Sequence, residues 1–226
     1  MSKIDFDFGF FLENFPEILP YLPMTLFIAG ASMSFAIIIG LALALVQTQK
    51  VPVLSSLVTA YISFFRALPS VVLLFIAYYG LPQLFPILIP VGAVTVTVAC
   101  FSFKFAAYLS EIFRAALSSV DLGQREAGLT VGFSIAQIYR RIILPQAFVI
   151  ALPAMGNVLI SLLKDSSVAF FVGVTEMLAA GKMLSAANFR FFETYLAVGL
   201  MYWGIVVLYS FAQRKLENKL AAPYKR

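Results

Sequence analysis

The chain has 226 residues, 62% hydrophobic and 12% charged, whereas a soluble domain carries about 45–50% apolar and about 25% charged residues. So little charge cannot cover a water-facing surface, and lipid is the expected solvent. Histidine is absent and Cys100 is the one cysteine, which excludes a disulfide framework, a Cys/His zinc centre or other metal site of that kind, and a His-dependent triad.

The amino-terminal stretch carries Lys3, Asp5, Asp7, Glu13 and Glu17, with no basic region and no small-residue cleavage pattern, so it is expected to stay in the mature protein. Its Phe6, Phe8, Phe10 and Phe11 suit a helix or strand lying at the membrane interface. A helix crosses the ~30 Å hydrocarbon layer in about 20 residues, and the uncharged runs give five spans. The first is placed at 22–46, ended by Lys50 and Pro52. The second lies within 55–80, interrupted by Arg66 and followed by Gly80, Pro82, Pro86 and Pro90, which suit an inter-helix turn. The third runs over 90–113, the fourth over 146–163 and the fifth over 194–213.

Orientation follows from the distribution of Lys and Arg. Ten of the 16, among them Lys50, Arg114, Arg140, Arg141, Arg214, Lys225 and Arg226, fall on one side of this arrangement, against Lys3, Lys182 and Arg190 on the other. The amino terminus is therefore expected outside and the carboxyl terminus in the cytoplasm. The basic residues lie along membrane edges and are not gathered with aromatic stacking platforms, so no nucleic-acid partner is expected.

The segment between spans three and four, at 121–145, is too long for a tight turn and too patterned for a linker. Asp121 with Gln124 matches a capping box, so a helix is expected from Leu122. Gly132 suits a left-handed helix end. Ser134 with Gln137 repeats the capping box, with Phe133 and Ile138 spaced for a hydrophobic staple, so a second short helix is expected from Ile135. Such a rigid hairpin either rests on lipid headgroups as a connector or offers a docking surface, with Glu126, Ala127 and Gly128 as a small-residue face open to a partner.

The run Glu126-Ala127-Gly128, Gly132, Ile142, Leu144-Pro145 resembles the EAA loop of ABC importer permeases, E-A-A-x3-G-x9-I-x-L-P, with Gly128 in place of the second Ala. The stretches YISFFRALPSVVLLFIAYYGLP, AAYLSEIFRAALSSVDLGQREAG and LPAMGNVLISLLKDSSV resemble the polar amino acid branch of that family, which includes histidine-, glutamine- and cystine-type permeases. The resemblance implies an all-α integral membrane protein of type I importer fold in a bacterial cytoplasmic membrane. It implies a second permease copy or paralogue, an extracytoplasmic solute-binding protein and a cytoplasmic ABC ATPase dimer docked on Glu126, Ala127, Gly128 and Gly132. The chain has no G-x4-G-K-[ST] run, so no cofactor of its own is expected and ATP would be hydrolysed by the partner.

Charges within the apolar layer are costly and normally pair or line a cavity. Arg66, Lys104, Glu111, Lys164 and Asp165 are candidates for either role. As a structural set, Glu111 would pair with Lys164 or Lys104, and Arg66 with Asp165. As a substrate path, Arg66 or Lys164 would attract an amino acid carboxylate and Asp165 its ammonium, with Asn157, Ser161 and Ser166 supplying hydrogen bonds. The turn Lys164–Ser167 is also expected to break the fourth helix. Departures from the branch, namely Ala67-Leu68 for Gly-Thr, Ser166 for Thr and a charged Lys104, leave the amino acid open, with Lys104 favouring cystine or glutamate. A self-contained secondary transporter or channel is the rival reading, against which five spans offer no equal inverted halves. An intramembrane hydrolase on Ser166 or Ser167 lacks a general base and a G-x-S-x-G elbow.

Overall fold

The computed structural model describes residues 6–49 and 52–222. The expectations on Lys3, Asp5, Lys50, Lys225 and Arg226 lie outside the described residues. All regular structure among those residues is helical: α1 (Phe8–Ile18), α2 (Leu22–Thr48), α3 (Pro52–Ala67), α4 (Ser70–Phe75), α5 (Leu81–Leu84), α6 (Ala93–Ser118), α7 (Leu122–Thr130), α8 (Ile135–Ile138), α9 (Leu144–Asp165), α10 (Met177–Asn188) and α11 (Phe191–Ala221), with short 3-10 and π turns between them.

Among the described residues, four continuous helical stretches are long and apolar enough to cross a membrane: Phe8–Thr48, Ala93–Ser118, Ile135–Val172 and Phe191–Ala221. Even the 26 residues of α6 rise about 39 Å, more than the hydrocarbon thickness. The fifth candidate is a bent pair, Pro52–Ala67 with Ser70–Leu84, which turns through 108°. The break falls at Leu68-Pro69. Proline lacks an N–H and disfavours helical geometry in the residue before it, so α3 ends there, and Lys104 Nζ donates to the freed carbonyl of Leu68 at 3.1 Å. Tyr108 donates to the carbonyl of Arg66 at 3.4 Å. Both partners come from α6, and a buried cation at a helix carboxyl end is electrostatically favourable.

The amino-terminal stretch is a helix, as one of the two expected forms. Asp7 caps it by accepting from Phe10 N–H at 3.0 Å, and a 3-10 turn at Leu19–Tyr21 carries it into α2. Two features depart from the sequence expectation. The short helix expected from Ile135 does not stand alone: α8 continues through a π turn at Tyr139–Ile143 into α9. Pro145 cannot donate to the carbonyl four residues before it, and the wider turn absorbs that missing bond, with Leu144 N–H reaching Tyr139 O. Between the last two spans lies α10, which the charge pattern did not indicate. Glu176 caps it, and it ends at Phe189, a non-glycine residue held at φ 54°.

The contacts divide into two units, each drawing segments from the long helices. One takes the residues up to Ser32, Pro69–Phe101 and Ile160–Tyr209. It is centred on Phe11, Ile18, Met177, Ala197 and Val198, around which Phe15, Leu178 and Tyr202 pack. The other takes Met33–Leu68, Ser102–Leu159 and the residues from Ser210 onward, and packs Val58, Ile62 and Ala107 against Val46, Tyr61 and Phe65. Within it Gly40 lets α2 approach α6: a Cβ there would stand 2.9 Å from Leu109 Cβ.

Candidate functional site: a capped hairpin and a polar helix turn

The hairpin α7–α8 is built by caps. Asp121 Oδ1 accepts from Gly123 N–H at 2.7 Å. This is a single cap and not the expected reciprocal box with Gln124, because the acceptor is taken one residue earlier. The carboxyl end closes with the paired bonds of a Schellman turn: Phe133 N–H to Gly128 O and Gly132 N–H to Leu129 O, both 3.0 Å, with Gly132 at φ 81°. The second cap is the full box. Gln137 N–H donates to Ser134 Oγ at 3.3 Å, and Ser134 N–H donates to Gln137 Oε1 at 2.8 Å. Arg141 then lies over the Phe133 ring, 5.8 Å from its centroid.

Glu126 and Ala127 are exposed, as a docking face requires, but Gly128 is buried. The expectation that Gly128 shares an open small-residue face with Glu126 and Ala127 is corrected. A Cβ at Gly128 would stand 2.7 Å from Ile138 Cγ1 and 3.0 Å from its Cδ1, so the glycine closes the hairpin on itself. Ile138 is fully buried there. Leu122, Leu129, Val131 and Ile135 remain largely exposed on the same hairpin, an apolar surface unusual for a segment outside the apolar layer.

At the carboxyl end of α9 the helix changes type at the expected place. Asp165 is its last residue, and a 3-10 segment follows at Ser166–Val172, closed by Gly173 at φ 83°. Ser166 Oγ donates to Leu163 O at 2.7 Å and Ser167 Oγ to Lys164 O at 2.6 Å, so both hydroxyls bond back to the helix end. Asp165 accepts a hydrogen bond from Ser70, the first residue of α4. Lys164 is exposed, while Ser166 is fully buried. Asn157, Ser161 and Asp165 recur every four residues on α9 and form one polar stripe.

Arg66, in the other unit, is exposed with its guanidinium 5.5 Å over the Tyr108 ring. Glu111 is engaged by Arg114 at 2.7 Å, three residues on, and not by Lys104. Lys104 is buried and spent in part on Leu68, which gives this departure from the family pattern a structural use.

One polar cluster escaped the sequence reading. Glu176 is fully buried, accepts from Ala179 N–H at 2.9 Å as the cap of α10, and accepts from Tyr202 at 2.7 Å and Thr25 at 3.4 Å. It ties α10 to α2 and α11. The available signal was a lone acid between Gly173 and an apolar run.

Residues 36–222 match the family model described as binding-protein-dependent transport system inner membrane component. The probable amino-acid permease protein YxeN of Bacillus subtilis is 52% identical over 225 residues, covering all of both chains. The L-cystine transport system permease protein TcyL of the same organism is 39% identical over 222 residues, covering 95% of this chain and 92% of its own. Among solved structures, an amino acid ABC transporter with histidines superposes with a TM-score of 0.85 at 28% identity, covering 96% of this chain and all of that one.

Proposed function

We propose that this chain, which belongs to the binding-protein-dependent transport-system inner-membrane components and within them to the amino-acid ABC permeases, is the membrane-spanning subunit of an importer for a polar amino acid, cystine or glutamate. A solute-binding protein delivers the amino acid at the extracytoplasmic face. The chain pairs with a second permease, either its own copy or a paralogue, and with a cytoplasmic ATPase dimer that hydrolyses the ATP. It performs no hydrolysis itself. Its amino terminus lies outside and its carboxyl terminus in the cytoplasm, as the basic residues indicate.

The observation that carries this reading is the hairpin. α7 is fixed at both ends, by the Asp121 cap and the Gly132 turn, and α8 is continuous with the spanning helix α9. A push on exposed Glu126 and Ala127 is therefore delivered to α9 without an intervening flexible link. A packed helix pair moves as a body and not by gradual bending. At the far end of α9, Asp165 meets the ammonium of the amino acid while Lys164 attracts its carboxylate. Ser161 and Asn157, one and two turns back along α9, supply hydrogen bonds further along the path. Ser166, buried and bonded to Leu163 O, supports the turn at the end of this path.

Reconstitution of the complete complex in proteoliposomes tests this. ATP-driven uptake of labelled cystine or glutamate is expected with the binding protein present, and Asp165→Asn is expected to cut uptake while the purified complex keeps its composition and melting temperature. Uptake at the wild-type rate without the ATPase would refute the importer reading.

A further inference from the structure

The 3-10 segment that starts at the Lys164–Ser167 turn ends in a cluster of rings, all within one unit. α4 and the residues after it run beside this segment in the same direction. Ser70 meets Asp165 at one end; further along, the Phe75 and Phe171 rings meet edge to face at 6.1 Å, and Tyr79 donates to Phe171 O at 3.2 Å. The Phe170 ring lies 5.6 Å from that of Phe171, and Lys182 of α10 places its ammonium 4.1 Å from the Phe170 centroid. Lys182 is exposed and pairs with no carboxylate among the described residues.

An exposed lysine without a counter-ion normally samples many positions on its flexible stem. Here the negative face of a ring holds the ammonium in place. Five residues of 3-10 helix at about 2.0 Å each put Phe170 about 10 Å from Asp165. A positive charge carried by α10 thus stands beyond the acid, against a ring of the segment that the acid begins. The geometry points to Lys182, clamped on Phe170, as a specificity residue of the extracytoplasmic approach to Asp165: it draws in amino acids of zero or negative net charge and repels cationic ones. This rests on the importer reading above and adds to it a class of substrate and a residue that selects it.

The test is calorimetric titration of the permease–ATPase complex in lipid nanodiscs, without binding protein, using L-glutamate and L-arginine as probes. Wild type is expected to bind glutamate about tenfold more tightly than arginine, the scale of one partly screened charge contact. Lys182→Arg should keep that ratio, Lys182→Gln should bring it near one, and Lys182→Glu should invert it. Phe170→Leu, which frees the ammonium, should fall between wild type and Lys182→Gln. A ratio unmoved by Lys182→Glu at wild-type melting temperature overturns the inference, as does a wild type that binds both probes equally or neither; should Lys182→Glu fail to fold, an unmoved ratio in Lys182→Gln overturns it in the same way. Its failure is separable from that of the importer reading, which is decided by whether the wild-type complex shows amino acid uptake that depends on the ATPase.

Discussion

Replacing Gly132 isolates one torsion. The residue sits at φ 81°, and a Cβ built there meets nothing within 4 Å, so a substitution has room and its cost is backbone strain alone. An L-residue in the left-handed region costs roughly 1–2 kcal/mol, least for Asn and most for a β-branched side chain. One to two kcal/mol lowers the ratio of closed to open hairpin by about 5- to 30-fold. If the closed hairpin is what conveys motion, ATP hydrolysis stimulated by substrate-loaded binding protein should fall in the order wild type, Gly132→Asn, Gly132→Ala, Gly132→Val, with insertion and assembly intact. The assay is stimulated over basal ATPase in proteoliposomes, normalised to complex recovered. Equal stimulation in Gly132→Val and wild type refutes the reasoning, and so does an equal loss in Asn and Val, which would mean that something other than torsion is at work.

Gly128→Ala should destabilise the hairpin by about 1–3 kcal/mol through overpacking, and Ile138→Ala in the same chain should recover coupling, because the new Cβ collides with Ile138 and nothing else as close. Lys104→Met should lower the melting temperature of the complex in detergent, since an unsatisfied buried carbonyl at Leu68 costs about 1–3 kcal/mol; half-saturation for substrate should not move. Glu176→Ala should cost at least the 0.5–2 kcal/mol of a lost helix cap and leave Tyr202 and Thr25 without their acceptor. Tyr202→Phe removes one of those bonds only, and its smaller loss in melting temperature checks the assignment.

Local rules predicted the local structure well. The starts at Leu122 and Ile135, the left-handed Gly132 and the end of α9 at Asp165 are each decided by two or three neighbouring residues, so caps and glycines announce them. What escaped was decided at a distance. Nothing beside Gly128 says that Ile138 fills its Cβ position, and nothing beside Lys104 says that a broken helix leaves a carbonyl within its reach. The 108° bend was visible only as an interruption, Arg66 followed closely by Pro69, within a stretch that the hydropathy still assigns to one span. α10 is short, apolar and flanked by charges that looked like loop, so its burial against Ala197 and Val198 had no periodic signature long enough to read.

Site-directed cross-linking measures the central claim most directly. With Cys100 replaced by Ala, a cysteine at Ala127, exposed on α7, is to be treated with a membrane-impermeant thiol reagent in cells and inverted vesicles, then with a short bifunctional linker in the purified complex. The account predicts labelling only in inverted vesicles, and a cross-link to the ATPase subunit whose yield changes between nucleotide-free and ATP-bound states. Labelling from outside intact cells, or a full transport cycle without any such cross-link, would contradict it.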